Sequence, residues 1–267
     1  MYETTYHRAS SVSDAVRLVQ GASDGKFLSG GMTLIPAMKQ RLAAPSDVVD
    51  LRHIPELRGI QVSGSNVSIG AATTHAEVAG SAELKAACPA ICELAAHIGD
   101  PHVRHMGTIG GSVANNDPAA DYPAALLALN ATIVTSKREI GADSFFTGLF
   151  STALEDDEII TAIRFTVPAL AGYAKFPNPA SRYAMTGVFV AKGGDGGVRV
   201  AVTGAGDNGV FRASEIEAAL AGSFDAAALE GISIPSDNLM SDIHASAEYR
   251  AHLVVVMARR AVAKANQ

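Results

Sequence analysis

Apolar and polar positions alternate in short blocks along this chain, and the period of alternation changes from block to block. SDAVRLVQ, from Ser13, repeats at helical spacing behind a serine and predicts a short capped helix. KFLSGG predicts a strand that runs into a glycine turn. TLIPAMKQRLA predicts a helix, with Thr33 placed to cap it and Pro36 in its first turn. VVDL closes this part as another strand, so the opening section alternates strand, helix and strand as an α/β unit does.

A second unit begins near Gly59. GIQVSG and NVSIGAAT alternate with period two and predict a hairpin around Gly64–Ser65. SAELKAACPAICELAAHIG is helical in pattern, with a bend or break expected at Pro89. DYPAALLALN predicts a helix, ATIVTS a strand and EIITAIRFTV a further strand. PNPAS, at residues 177–181, reads as a boundary, because two prolines and an asparagine punctuate it. Beyond it RYAMTGVFVAK, VRVAVTGAG and SEIEAALAG predict a separate α+β piece, and EYRAHLVVVMARRAVAKA a closing helix.

Composition narrows the possibilities. The chain has 267 residues, 48% of them hydrophobic, enough for one large or two modest domains. Acidic side chains number 27 against 21 basic, and no basic run marks a nucleic-acid binder. The N-terminus MYETTYHRAS has no signal-peptide pattern, and LVVVMA is far too short for a membrane span. Two cysteines argue for a reducing compartment, and a cytoplasmic location is expected.

Two glycine turns carry the chemistry. GGMTL at 30–34 lies between a strand and a helix, and GTIGG at 107–111 lies in the second unit. Such turns aim backbone N–H groups at whatever occupies them, and a diphosphate needs several donors close to the backbone. One turn per α/β unit points to a dinucleotide bound between the units. The doubly wound nicotinamide fingerprint is absent, because GTIGG is not G-x-G-x-x-G and ALNATIV, about 20 residues on, lacks the acid that fingerprint requires. On this reading Gly110→Val abolishes binding of the dinucleotide by filling the diphosphate's space.

LSGGMTLIPAMKQRLAAPSDVVDL and VRHMGTIGGSVANNDPAADYPAALLALNA closely resemble the FAD-binding medium subunit of molybdenum hydroxylases, the family of xanthine dehydrogenase, aldehyde oxidase and aerobic carbon monoxide dehydrogenase. VTGAGDNGVFRASEIEAAL and SDIHASAEYRAHLVVVMARRAVAKA extend the likeness to the C-terminus. The resemblance implies an α+β fold: a PCMH-type FAD-binding domain over 1–176, divided into α/β subdomains at about 1–58 and 59–176. A C-terminal domain with a three-stranded antiparallel sheet and helices follows over 177–267. It implies that Ser29, Gly30, Gly31, Met32 and Thr33, with Thr108, Ile109, Gly110 and Gly111, hold the FAD diphosphate. Met32 departs from the polar residue usual in the family. Asp121 corresponds to a carboxylate that contacts the ribityl or adenosine part, Asn115 shares its loop, and Tyr183 aligns with an aromatic near the isoalloxazine. Ile160 and Lys175 fall near further flavin contacts.

The residues have plainer readings too. Asp117–Pro118 makes a good helix start by itself, Thr73, Thr74 and His75 read as a helix cap, and Tyr183 as a packed strand residue. Cys88, Cys92, His102 and His105 match no usual zinc spacing, and the better reading is two buried thiols. No nucleophile–base constellation is present, so no catalytic residue is assigned.

Two iron–sulfur clusters need about eight thiolates, four each, and this chain has two cysteines. The resemblance therefore implies an electron-transfer subunit whose partners are a large molybdenum-cofactor subunit and a small iron–sulfur subunit, together a dimer of heterotrimers. Electrons would pass from the clusters through FAD to a terminal acceptor. The alternatives are a self-sufficient flavin oxidoreductase and a non-redox nucleotide-binding assembly module.

Overall fold

The computed structural model describes residues 1–267. The N-terminal unit is a parallel sheet of three strands in which Asp47–Asp50 lies between Thr5–Arg8 and Gly25–Leu28. Helix Val12–Gly21 covers it and buries Ala15 and Val19. Ser11, not Ser13, caps that helix by accepting from the Asp14 N–H, so it begins earlier than its apolar pattern. The edge strand Thr5–Arg8 escapes a hydrophobicity reading because TYHR is mostly exposed.

The second unit is a five-stranded antiparallel sheet in the order Ile60–Ser63, Asn66–Gly70, Ile160–Thr166, Thr132–Thr135, Glu139–Gly141. The expected hairpin turns at Gly64, whose φ of 59° favours glycine. The helical stretch breaks at Pro89 into Ala82–Ala87 and Pro89–Ala96. Thr74 and Glu77 form a reciprocal capping box for helix His75–Gly80, as the polar cluster there leads one to expect. Every residue of helix Tyr122–Ala128 is buried, as befits a segment apolar all round.

The third sheet is antiparallel, with long strands Leu170–Pro177, Ala184–Lys192 and Val198–Thr203 and a two-residue edge, Phe211–Arg212. A three-stranded antiparallel sheet was expected over 177–267; the sheet takes its first strand from Leu170–Pro177, which the sequence reading did not assign, and adds Phe211–Arg212, too short to show a period. PNPAS is the hairpin turn between the first two strands of this sheet. The boundary expected at residue 177 thus falls inside one sheet, and sheet membership changes at 167–169.

Alternation explains how this sheet is covered on both sides. Tyr173, Phe189, Ala191 and Ala201 face the large core that includes helix Tyr122–Ala128. Ala174, Val188, Val190, Val200 and Val202 face the terminal helix Ala247–Ala265. Gly172 lets that helix approach, since a Cβ there would lie 2.0 Å from the Ala261 carbonyl oxygen.

Candidate functional site

A cleft of about 870 Å³ opens between the two α/β units and runs under the hairpin at 178–183. Its walls include Ser29, Gly30, Gly31, Met32, Thr33, Thr108, Gly110, Gly111, Asn115, Asp121, Ile160 and Tyr183. Residues scattered over five elements of the sequence thus meet at one cavity. Ile109 is fully buried beneath it, and Lys175 stands behind Asp121; neither lines the cleft.

The two glycine turns touch. Ser29 Oγ and Thr108 Oγ1 lie 2.8 Å apart. A Cβ on Gly30 would sit 2.1 Å from the Met106 carbonyl oxygen and 2.6 Å from Gly107 Cα. Gly30 is therefore required by the packing of one turn on the other. Gly107 in turn leaves room for His75, whose Nε2 would be 2.6 Å from a Cβ there.

The first turn has the free donors. No backbone N–H from Gly30 to Leu34 donates to a backbone carbonyl. Gly31 has a φ of 72°, the left-handed conformation that anion-binding nests of backbone N–H groups use. Thr33 precedes helix Leu34–Lys39 without making a side-chain cap bond, so its hydroxyl is free as well. Met32 is exposed and lines the cleft.

The second turn is built differently from the expectation. Its N–H groups are largely spent inside the protein: Ile109 donates to the Thr73 carbonyl at 3.0 Å and Gly110 to that of Ala71 at 2.9 Å. Gly111 donates to Thr108 Oγ1 at 3.1 Å, which caps helix Ile109–Asn115. A Cβ on Gly110 would meet Ala71 Cβ at 2.5 Å, so the space a branched side chain needs there belongs to Ala71. Gly111 has the freer position, since its nearest neighbours would be Thr108 Oγ1 at 3.0 Å and Ser29 Cβ at 3.6 Å.

Asp117 does not start a helix. Its carboxylate accepts from the Ala119 N–H in a tight turn, and the helix begins at Tyr122 with Asp121 in the cap position. Thr203 Oγ1 donates to the Ala120 carbonyl at 2.6 Å and binds that of Pro118 at 3.1 Å, tying this loop to the third sheet. Asn116, left-handed at φ 43°, donates its side-chain amide to the Gly148 and Ser151 carbonyls. Sequence reading passes over Asn116 because its neighbour Asn115 looks equivalent; burial and φ distinguish them.

Asp121 is buried at one wall. Its Oδ1 accepts from Tyr173 Oη and, at 2.9 Å, from Lys175 Nζ, which also donates to the His97 carbonyl at 3.0 Å. Burial pushes the Asp121 carboxyl up, opposed by the Lys175 ammonium and the Tyr173 hydroxyl. His75, also on the wall, is driven down to about 4 by burial and the nearby Arg104 charge. Its ring lies 5.4 Å from that of Tyr122.

Charge on the cleft wall is mainly negative: Asp100, Asp117, Asp121, Glu155, Asp156 and Glu158 outnumber Lys26 and Arg182. An anionic group held here must rest on neutral N–H and hydroxyl donors, and the first turn supplies them. A cavity of this size, a run of free donors and the buried Asp121 carboxylate suit a dinucleotide with a diphosphate and hydroxyl-bearing sugars; the other buried carboxylate on the wall, Glu158, is already paired with Arg138. Cys88 and Cys92 lie elsewhere, buried in the large core as free thiols.

The family model described as FAD binding domain in molybdopterin dehydrogenase matches residues 2–169. That of the CO dehydrogenase flavoprotein C-terminal domain matches residues 173–265. The carbon monoxide dehydrogenase medium chain of Afipia carboxidovorans is 38% identical, with 97% of this chain and 96% of that protein covered. The nicotine 6-hydroxylase medium subunit of Paenarthrobacter nicotinovorans is 36% identical, with 97% and 96% covered. Among solved structures, CO dehydrogenase from Oligotropha carboxidovorans superposes with a TM-score of 0.88 at 37% identity over 98% of this chain and 97% of the other. Quinoline 2-oxidoreductase from Pseudomonas putida 86 gives 0.87 at 27% identity over 98% and 96%.

Proposed function

The chain belongs to the family of FAD-binding medium subunits of molybdenum-dependent dehydrogenases, and on that premise we propose that it binds FAD in the cleft between its α/β units and relays electrons. The observation that carries this reading is the run of unclaimed N–H groups from Gly30 to Leu34, residues that all line a cavity of dinucleotide size. Gly30, Gly31, Met32 and Thr33 hold the diphosphate through their backbone and the Thr33 hydroxyl. Ser29 and Thr108 hold the two turns together around it, Ile109 and Gly110 support the second turn from below, and Gly111 leaves its space open. Asp121 accepts a hydroxyl of the ligand, Lys175 holds Asp121, and Asn115, Ile160 and Tyr183 complete the walls.

Bound FAD exchanges electrons singly or in pairs and so joins one-electron carriers to a two-electron acceptor. The chain's share is position, dielectric and exclusion of water. Its own two cysteines cannot ligate iron–sulfur clusters, and both are buried. Electrons therefore arrive from clusters on a small iron–sulfur subunit, while a large subunit carries the molybdenum cofactor. The relatives named medium chain or medium subunit support this division of labour.

The test is direct. The purified chain is supplied with FAD, desalted, scanned in the visible and treated with acid. Retained flavin that acid releases is the expected result. A folded chain that takes up no FAD, even with large and small subunits present, overturns the reading.

A further inference from the structure

Asp121 receives both of its protein hydrogen bonds on one oxygen. Tyr173 Oη and Lys175 Nζ meet at Oδ1, and Oδ2 takes none, although the residue is buried and lines the cleft. Both donors come from one strand, two residues apart on the same face, and that strand belongs to the third sheet. Tyr173 is completely buried, and the Lys175 side chain nearly so. The tyrosine hydroxyl has space because residue 187 opposite is glycine: a Cβ there would lie 2.6 Å from Oη. A buried carboxylate whose first oxygen is claimed from two directions cannot rotate without stranding both donors.

We infer that Tyr173 is a positioning residue for the bound dinucleotide: together with Lys175 it locks Asp121 so that Oδ2 is presented to a hydroxyl of the FAD. Lys175 balances the carboxylate's charge, and Tyr173 fixes its orientation. The third sheet thereby sets the acceptor in a cleft whose donors come from the N-terminal unit. This rests on the FAD reading above and adds a residue that does not itself touch the cleft.

Other titratable groups face Asp121 besides these two: His97 at the end of helix Pro89–Ala96, Tyr122 next in the chain and Tyr183 on the hairpin. All three stay in place in the comparison that follows. The full chain is titrated with FAD by flavin fluorescence from about pH 5 to about pH 9, as wild type, Tyr173→Phe, Asp121→Asn and the double variant. Tyr173→Phe is expected to weaken FAD binding about tenfold, the scale of one hydrogen bond to a charged group. Its loss of affinity on acidification should begin at higher pH than in wild type, because a donor that favours the ionised carboxylate is gone. In the Asp121→Asn background the same change should matter less than about twofold, since the two residues act as a unit.

An unchanged dissociation constant and pH profile in Tyr173→Phe overturns the inference while leaving FAD binding intact. So does an effect that persists undiminished in the Asp121→Asn background. Should Tyr173→Phe not fold, Asp121→Asn alone decides: unaltered affinity overturns the inference. Absence of FAD binding by wild type overturns it together with the reading beneath it.

Discussion

Ser29 Oγ lies 2.8 Å from Thr108 Oγ1, and this pair latches two turns that are 79 residues apart in the chain. Ser29→Ala removes the latch and little else, at a cost of about 1 kcal/mol for a neutral hydrogen bond. FAD affinity should fall several-fold while the melting temperature drops by only about 2 °C. Thr108→Ala loses the helix cap as well and should cost about 1 kcal/mol more in stability. Fluorescence titration beside thermal melting separates the two, and equal affinity in Ser29→Ala would show the latch to be dispensable.

Two glycines separate folding from binding. Gly30→Ala places a methyl 2.1 Å from a backbone oxygen, which must move, and a loss on the order of 3 kcal/mol is expected. Gly111→Ala meets only a hydroxyl at 3.0 Å and a Cβ at 3.6 Å on the cleft wall. That variant should melt like wild type and retain less FAD. Flavin content per folded chain after desalting is the measurement; full retention in Gly111→Ala would place the diphosphate elsewhere.

The buried His75 makes the fold sensitive to acid. Its value is depressed from 6.5 to about 4, so the unfolded chain binds a proton that the native chain refuses within that window. Stability is full above about pH 6.5 and falls by about 3 kcal/mol as the pH drops through 4. Urea melts at several pH values should show that slope, and His75→Gln should flatten it. An identical slope in the variant would assign the acid sensitivity to other groups.

Burial pushes the Cys88 thiol up to about 12 and the Cys92 thiol up to about 11. Both should resist a thiol-reactive dye in the native state and react together on unfolding. Rapid labelling of the folded chain would contradict the packing of helices Ala82–Ala87 and Pro89–Ala96.

Much of the fold was legible because its periods are clean. The break at Pro89, the hairpin at Gly64, and strands Ile160–Thr166 and Val198–Thr203 follow from local rules. The edge strand Thr5–Arg8 did not, since an exposed edge carries no apolar stripe. PNPAS looked like a domain boundary because a hairpin and a linker use the same residues, and only strand pairing distinguishes them. The glycine turns were visible as turns, but their division of labour was not. That Gly110 accommodates Ala71 while Gly30 accommodates Met106 is a long-range fact. Tyr173 was missed together with its strand, since no strand was read over Leu170–Pro177.

The third sheet grips the loop before helix Tyr122–Ala128. Thr203 and Gly204 hold the Pro118 and Ala120 carbonyls, and Arg250 of the terminal helix in turn donates to the Gly204 and Met185 carbonyls. The C-terminal third is therefore part of what shapes the loop. A fragment of residues 1–169 would leave the Pro118 and Ala120 carbonyls without these donors, so the segment that carries Asp121 owes its course to strands that come later in the chain.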